Sequence, residues 1–300
     1  MSTSDNWIAV DWGTSRLRAY HVVDGAVVAQ ADSENGMSRV SQTGAFEAAL
    51  LELVTPWLSE GTTDVFACGM VGARQGWAEA PYTAVPADPL PKSPVRVENT
   101  DPRLRVYIVP GLKQVKAADV MRGEETQIAG FLAQNDNWDG VICLPGTHTK
   151  WAHISAGEVV SFQTFMTGEF FALCAEKSVL RHSVGEGWDA EAFRDGLDAT
   201  LSRPESLAAR LFGIRARDLL EGENGAVAAS RLSGLLIGAE LAAARPYWLG
   251  QNVAVIGAGR VAENYAEALG VQGVPVAQQD AQDMTIAGLM AARTLTEIEA

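Results

Sequence analysis

The stretch VDWGTSRLRAY, residues 10–20, carries the first legible piece of architecture. Trp7–Asp11 is a short apolar run ending on a carboxylate, Gly13–Ser15 is a turn of small residues, and Leu17–Val23 is a second apolar run. Asp24-Gly25 reads as a hairpin turn into a third run, Val27–Ala31. The opening therefore predicts a three-stranded antiparallel meander. The same grammar recurs further on. Gly140–Leu144 (GVICL) runs into Pro145-Gly146, Thr147–Lys150 follow, and Trp151–Ile154 and Val159–Thr164 flank Ala156-Gly157 as a second hairpin. The recurrence is architectural, with no strict repeat of 20–50 residues.

Working outward, Ala45–Leu58 has helical spacing, with Thr43 as its expected N-cap and Glu47 in its first turn. Asp64–Cys68 predicts a strand ending at Gly69, and Arg105–Val109 another, stopped by Pro110-Gly111. Six of the 12 prolines fall in residues 78–103, which predicts a loop-rich insertion. After the second hairpin, helices are expected near Gly168–Glu176, Asp189–Leu201, Pro204–Phe212 and Ala226–Ala244. Asn252–Ile256 reads as a strand, Gly257–Gly259 as a turn, and Val261–Leu269 and Ala281–Leu295 as helices. The polar stretch QNDNWD, residues 134–139, marks a boundary. The expectation is an α/β protein of two domains, 1–137 and about 138–300, each built on a mixed sheet that opens with a meander, with the closing helix either staying in the second half or packing back across the cleft.

The 300 residues carry 23 Lys+Arg against 37 Asp+Glu, a net charge of −14. Such a field repels polyphosphate backbones and argues against nonspecific nucleic-acid binding, while leaving room for one focused basic pocket. Composition, at 47% hydrophobic and 20% charged, is that of a globular chain. Cys68, Cys143 and Cys174 form no CxxC pair and no zinc spacing, and the first two sit in apolar runs, as buried free thiols of a reducing cytosol would. Met1–Trp7 is polar and acidic, so no signal peptide is expected. The apolar stretch 226–244 contains Arg231 and Glu240 and reads as a core helix rather than a membrane span. A cytoplasmic protein, off the membrane, is the expectation.

Polar, glycine-rich turns follow several of these strands, which is where open α/β folds place ligands. In Asp11–Arg16, a carboxylate at a strand end precedes Gly13, Thr14, Ser15 and Arg16. Turn N–H groups and hydroxyls there suit a phosphate chain, with Asp11 holding a magnesium ion through water; the alternative is a plain β-hairpin. Gly146, Thr147, His148, Thr149 and Lys150 occupy the equivalent place in the second meander, without the GxxxxGK[ST] spacing. Gly257, Ala258 and Gly259 open a GxGxxA match over 257–262. That match admits a dinucleotide site with Asp280 or Asp283 as the ribose acid, an adenosine lying against the backbone, or an unliganded turn. The 41 residues after Gly259 are too few for a complete doubly wound domain. Gly69–Trp77 holds three glycines with Arg74 and Gln75, and Arg74 suits bidentate recognition of a carboxylate or phosphate unless the loop is an ordinary glycine loop. Asp119–Gln127 sets Arg122 beside Glu124 and Glu125, either a solvated helix start or a carboxylate that accepts a hydroxyl proton.

DWGTSR (11–16), PGTHTKW (145–151) and VIGAG (255–259) resemble the two phosphate hairpins and the adenosine turn of the actin/hexokinase/Hsp70 ATPase superfamily. With GMVGARQGWAEAPY and DVMRGEETQIAG they more closely resemble the 2-dehydro-3-deoxygalactonokinase family, in order and over most of the chain. The resemblance implies two actin-like (ribonuclease H-like) domains with an interdomain cleft. It implies ATP and Mg2+ as cofactors and phosphorylation of the 6-hydroxyl of 2-dehydro-3-deoxy-D-galactonate, in D-galactonate breakdown. It places Asp11, Gly13 and Thr14 on the first phosphate hairpin, Gly146, Thr147 and Thr149 on the second, and Gly257 and Gly259 on the adenosine turn. One departure stands out: residues 144–151 contain no Asp, which many sugar kinases of the superfamily carry there. The base is therefore sought elsewhere: RGEE (122–125) resembles the carboxylate motif at that place in the exopolyphosphatase branch, which implies Glu124, with Glu125, Asp119 and His148 behind it. Arg74 or Arg122 would anchor the sugar-acid carboxylate. Two other readings stay open: an NAD(P)-dependent oxidoreductase using the 257–262 turn, and a non-catalytic sugar-binding regulator on the same scaffold. The absence of a helix-turn-helix or basic patch weighs against a DNA-binding regulator. A homo-oligomer is compatible with the sequence.

Overall fold

The computed structural model describes residues 5–58, 60–90 and 93–299; Met1–Ser4, read above with the N-terminus, lie outside the described residues. The first elements are β1 (Asn6–Trp12), β2 (Leu17–Val23), β3 (Ala26–Ser33), α1 (Met37–Val40), α2 (Phe46–Val54) and β4 (Thr63–Gly69). The Pro-rich segment contributes only the two-residue strands β5 (Thr83–Ala84) and β6 (Val95–Arg96). Then come β7 (Leu104–Ile108), β8 (Leu112–Gln114), β9 (Asp119–Met121) and α3 (Glu124–Leu132). The second series is β10 (Gly140–Leu144), β11 (Thr149–Ser155), β12 (Glu158–Phe165), α4 (Thr167–Ala172), α5 (Ala190–Leu201), α6 (Leu207–Glu221), α7 (Gly225–Ala243) and α8 (Arg245–Trp248). It closes with β13 (Val253–Gly257), α9 (Gly259–Gly270), β14 (Val276–Asp280) and α10 (Ala281–Glu299).

Two compact units result. The first takes in residues 5–138, 154–161 and 280–299; the second takes in 139–153 and 162–279. The chain thus returns to the first unit twice, the second time with its closing helix. The sheet of the first unit has the order β3-β2-β1-β4-β7-β6, and the later sheet has β12-β11-β10-β13-β14. In both, a hairpin leads out from a central strand whose other neighbour is parallel: β1 with β4, and β10 with β13. This repeated mixed α/β plan is the actin-like arrangement that the sequence resemblance implied. A small third sheet, β5-β8-β9, was not foreseen.

Side-chain alternation explains how the first sheet is covered on both faces. Ile8, Val10 and Trp12 of β1 pack with Val65 and Ala67 of β4 against Phe46 and Leu50 of α2. Trp7 and Ala9 pack with Phe66 and Cys68 on the opposite face, beneath Ile286, Leu289 and Ala292 of α10. β3, at the sheet edge, is largely exposed. In the second unit, Val141 and Cys143 of β10 face Phe193 and Leu197 of α5, Ile237 and Leu241 of α7, and Tyr265 of α9. Helix α7 is long and apolar enough to cross a membrane, yet 61% of its apolar window is buried in the fold.

Local differences have local causes. Thr43 does not cap α2: Ala45 is the N-cap, with no side-chain cap bond, and the Thr43 hydroxyl serves the preceding turn by donating to the Val40 carbonyl at 3.2 Å. The helix expected over Pro204–Phe212 begins as a 3-10 turn and runs on to Glu221, where Gly222 ends it. The segment after α4 is a π-helical turn, Leu173–Lys177. Because α10 closes one face of the first sheet, truncating Leu289, which is fully buried, should cost about 2–5 kcal/mol. Urea unfolding of Leu289→Ala checks this; a loss under about 0.5 kcal/mol, as for a surface substitution, would mean that α10 does not complete that core.

Candidate active site

The first turn joins β1 to β2. Thr14, Ser15 and Arg16 at its tip are exposed, and Trp12 and Leu17 at its shoulders are buried. Gly13 N–H donates to the Arg16 carbonyl at 2.9 Å and closes it. The start of α1 backs the turn: Met37 N–H donates to the Gly13 carbonyl at 3.0 Å and Ser38 N–H to the Thr14 carbonyl at 2.9 Å. Gly36 lies so close beneath that a Cβ there would overlap the Ser15 backbone. Arg16 leans aside, its Nη1 donating to Asp32 at 2.7 Å.

Asp11 has the same parity on β1 as Trp7 and Ala9, so it shares the α10-covered face of the sheet, level with Cys68 of β4. Arg18 Nη1 donates to its Oδ2 at 2.8 Å. Burial pushes the Asp11 carboxyl up, the Arg18 charge and hydrogen bond pull it down, and the negative charge of Glu124 adds a smaller upward push. The two carboxylates therefore feel each other. Glu124 opens α3 directly after Gly123, whose φ of 106° a side chain would strain and which packs on Gly69 at the end of β4.

The adjacent acids divide. Glu124 is half-buried, and its Oε2 accepts the Arg122 N–H at 3.1 Å. Glu125 is fully buried; its oxygens accept the Gly123 N–H at 2.8 and 2.7 Å, and Oε1 accepts the Thr126 hydroxyl at 3.0 Å. Geometry leaves Glu124 reachable and seals Glu125. Asp119 sits on β9 and accepts the Val120 N–H at 2.8 Å.

The two arginines divide in the same way. The Arg74 side chain is 83% exposed, with Glu79 at 3.9 Å, and Gln75 beside it is exposed too. Arg122 is buried: Nη2 donates to the Ala80 carbonyl at 2.7 Å, Nε to the Tyr82 hydroxyl at 3.4 Å, and the guanidinium lies 4.3 Å from the centre of the Tyr82 ring. It pins the Ala80–Tyr82 loop from inside.

In the second unit, Gly146, Thr147 and His148 are exposed at the turn between β10 and β11, whereas Thr149 and Lys150 are buried. Thr149 therefore differs from its expected role: its hydroxyl faces inward, 3.0 Å from Tyr265 OH. Lys150 Nζ donates to the His148 carbonyl at 3.1 Å, and His148 Nε2 lies 2.6 Å from Glu169 Oε2. The start of α4 backs this turn as α1 backs the first. Glu169 N–H donates to the Thr147 carbonyl at 3.0 Å, and a Cβ on Gly168 would run into Gly146. Gly36 and Gly168 were missed in the sequence because each is a lone glycine outside any motif. The third turn, Gly257-Ala258-Gly259, leads from buried β13 into α9, with Ala258 and Gly259 exposed and Gly259 at φ 57°. The dinucleotide reading of this turn is not sustained. One short strand, β14, follows α9, and Asp280 caps α10 by accepting the N–H groups of Gln282 and Asp283 at 2.8 and 3.2 Å.

Burial, reinforced by the Glu124 charge, holds the Glu125 carboxyl at about 7 against an ordinary 4.5. The folded chain thus keeps a proton that the unfolded chain loses first. This contribution is complete below pH 4.5 and is lost as pH rises through 7. Unfolding free energies at pH 5.5 and pH 8 should show wild type losing about 1–3 kcal/mol relative to Glu125→Gln over that interval. A difference that does not change with pH would contradict the assignment.

The profile of the 2-keto-3-deoxy-galactonokinase family matches residues 11–292. The "Probable 2-dehydro-3-deoxygalactonokinase" of Rhizobium meliloti (strain 1021) is 38% identical, the match covering 97% of this chain and 98% of that one. The 2-dehydro-3-deoxygalactonokinase of Escherichia coli (strain K12) is 36% identical over 90% of this chain and 91% of that one. A solved structure from Sinorhizobium meliloti, provisionally described as a 2-dehydro-3-deoxygalactonokinase, superposes with a TM-score of 0.89 at 37% identity, covering 97% of this chain and 99% of that one. On sequence and fold together, the chain belongs to the 2-keto-3-deoxy-galactonokinase family.

Proposed function

We infer that the protein is an ATP-dependent sugar-acid kinase acting on the 6-hydroxyl of 2-dehydro-3-deoxy-D-galactonate. Within this family, the observation that carries the reading is the pairing of Asp11, beside an exposed turn, with the reachable Glu124. Thr14 and Ser15 in one unit, and Gly146 and Thr147 in the other, are exposed at turn tips suited to phosphate oxygens, and the half-buried Gly13 closes the first turn. Ala258 and Gly259 offer a side-chain-poor surface to the adenosine. Buried, unpaired Cys68 and Cys143 accord with a reducing cytoplasm.

Among the described residues, no group of three or more His, Cys, Asp or Glu could cage a metal ion. The donor set suits a Mg2+ that arrives with the nucleotide, keeps its waters and takes one or two carboxylates; Asp11 would hold it, with Glu124 nearby. When bound, the ion supplies neutralisation of the phosphate charge. The chain's own contribution is positioning and a proton acceptor. Glu124 takes the proton of the attacking hydroxyl, Arg18 keeps the Asp11 carboxylate aimed, and Arg74 meets the substrate carboxylate from solvent. Arg122 holds the adjoining loop. The transition state for phosphoryl transfer is loose, so the base need not be strong, only correctly placed.

A coupled ADP-release assay over a panel of 2-oxo-3-deoxy sugar acids tests the reading. Wild type should turn over the galactonate-derived acid. Asp11→Asn and Glu124→Gln should lower kcat by about 10²–10⁴ with little change in KM. Arg74→Ala should instead raise the sugar-acid KM roughly 10–150-fold and leave the ATP KM alone. Near wild-type kcat in both carboxylate variants would sink the assigned roles, and no turnover of any acid by wild type would sink the kinase reading.

A further inference from the structure

Glu240 lies in α7, 3% exposed, outside every motif that the function absorbs. Its carboxylate accepts the Trp151 indole N–H at 2.7 Å on Oε1, and the Tyr265 hydroxyl at 2.6 Å and the Thr167 hydroxyl on Oε2. The Tyr265 oxygen also lies 3.0 Å from Thr149 Oγ1. Since Tyr265 gives its proton to Glu240, Thr149 must be the donor in that second bond. Burial and the Glu240 charge push the Tyr265 phenol far up, which keeps it a donor. The proton chain therefore runs Thr149 to Tyr265 to Glu240.

The four partners are not scattered. Thr149 and Trp151 open β11, immediately after the exposed turn Gly146–His148. Thr167 opens α4, and the next two residues, Gly168 and Glu169, are those that back the turn at Gly146 and Thr147. Tyr265 belongs to α9, the helix that starts at Gly259. One buried carboxylate thus ties together the strand leaving the turn, the helix backing it and the helix rising from the adenosine turn. Burial pushes the Glu240 carboxyl up, and its hydrogen bonds with Thr167, Tyr265 and Trp151 pull it down. A buried polar side chain is costly unless its hydrogen bonds are satisfied, and three partners satisfy this one. An apolar residue would fill the space without fixing the orientation of three elements.

We propose that Glu240 is a positioning residue for the nucleotide: through Trp151, Thr167 and Tyr265–Thr149 it sets the backbone of the 146–148 turn that receives ATP phosphates. The proposal rests on the kinase reading above and adds a residue about 90 positions distant in sequence from that turn. None of Glu240, Trp151, Thr167, Tyr265 and Thr149 is among the residues assigned above to the sugar acid, so the effect should fall on ATP and not on the sugar acid.

Tyr265→Phe removes one hydroxyl from the chain and keeps the ring. KM for ATP, KM for 2-dehydro-3-deoxy-D-galactonate and the melting temperature are measured side by side with wild type, together with equilibrium binding of Mg2+-ATP without the acid. The expected result is a KM for ATP raised about 3–10-fold, a matching loss in Mg2+-ATP binding and a sugar-acid KM within about twofold of wild type. Glu240→Gln, which offers one acceptor oxygen to three donors, should shift the same parameter further; if it does not fold, Tyr265→Phe decides alone. An unchanged KM for ATP in folded Tyr265→Phe, or equal increases in both KM values, overturns the proposal and leaves a stability role only. Absence of any kinase activity in wild type would be a failure of the functional reading instead, and the Mg2+-ATP binding arm still tests the positioning role by itself.

Discussion

The constraint on which the rest depends is that a turn able to wrap a phosphate must be exposed at its tip and immobile at its root. Exposed backbone cannot hold its own shape against water, so the shape has to come from behind. In both units it does. The tips Thr14–Arg16 and Gly146–His148 are exposed. Behind each stands a helix start whose N–H groups cap the turn carbonyls, and a glycine without which the two backbones could not approach: Gly36 with Met37 and Ser38, and Gly168 with Glu169. Each turn grows from a strand buried on both faces, β1 or β10. Fixed dipoles of this kind need no reorganisation when charge develops, which is where such sites gain most of their effect.

Strand parity then decides which acids can cooperate. Because side chains alternate, Asp11 lies on the face of β1 that also carries Trp7 and Ala9, with Cys68 level on β4. Gly123 brings the start of α3 onto Gly69 at the end of β4, so Glu124 and Glu125 arrive beside that same edge. Two neighbouring acids acquire different surroundings from one helix start. The buried one accepts hydrogen bonds from Gly123 and Thr126 and titrates near 7, and the half-buried one stays open. The negative charge gathered at that edge, in a chain of net charge −14, suits a cation arriving with a nucleotide better than a bare anion.

Much of this was legible because the informative residues are consecutive. Strand, small-residue turn and strand at 6–23 and 140–165 can be read straight from the chain, and so can the strand–glycine–helix passage at 253–270. What could not be read depends on partners far apart in sequence or on weak local patterns. β14, Val276–Asp280, is a half-exposed strand with two adjacent glutamines and no clear alternation. That the closing helix could pack back was open in the sequence, but its partners were not: Ile286, Leu289 and Ala292 meet Trp7 and Phe66, more than 200 residues away. At the site, the turn tips were visible, but the inward rotation of Thr149 depends on Tyr265, and the difference between Arg74 and Arg122 depends on Ala80 and Tyr82. Single-chain patterns report residue chemistry; which of two like residues is sealed is settled by packing.

The most direct measurement is 31P NMR of a reaction holding the protein, Mg2+-ATP and 2-dehydro-3-deoxy-D-galactonate. The account predicts that the ATP γ-phosphate signal is replaced, one for one with ADP, by a phosphomonoester split into a triplet by two protons, as a phosphate on the primary 6-hydroxyl must be. A doublet would put the phosphate on a secondary hydroxyl. Inorganic phosphate as the sole product, or no loss of ATP, would contradict the account outright.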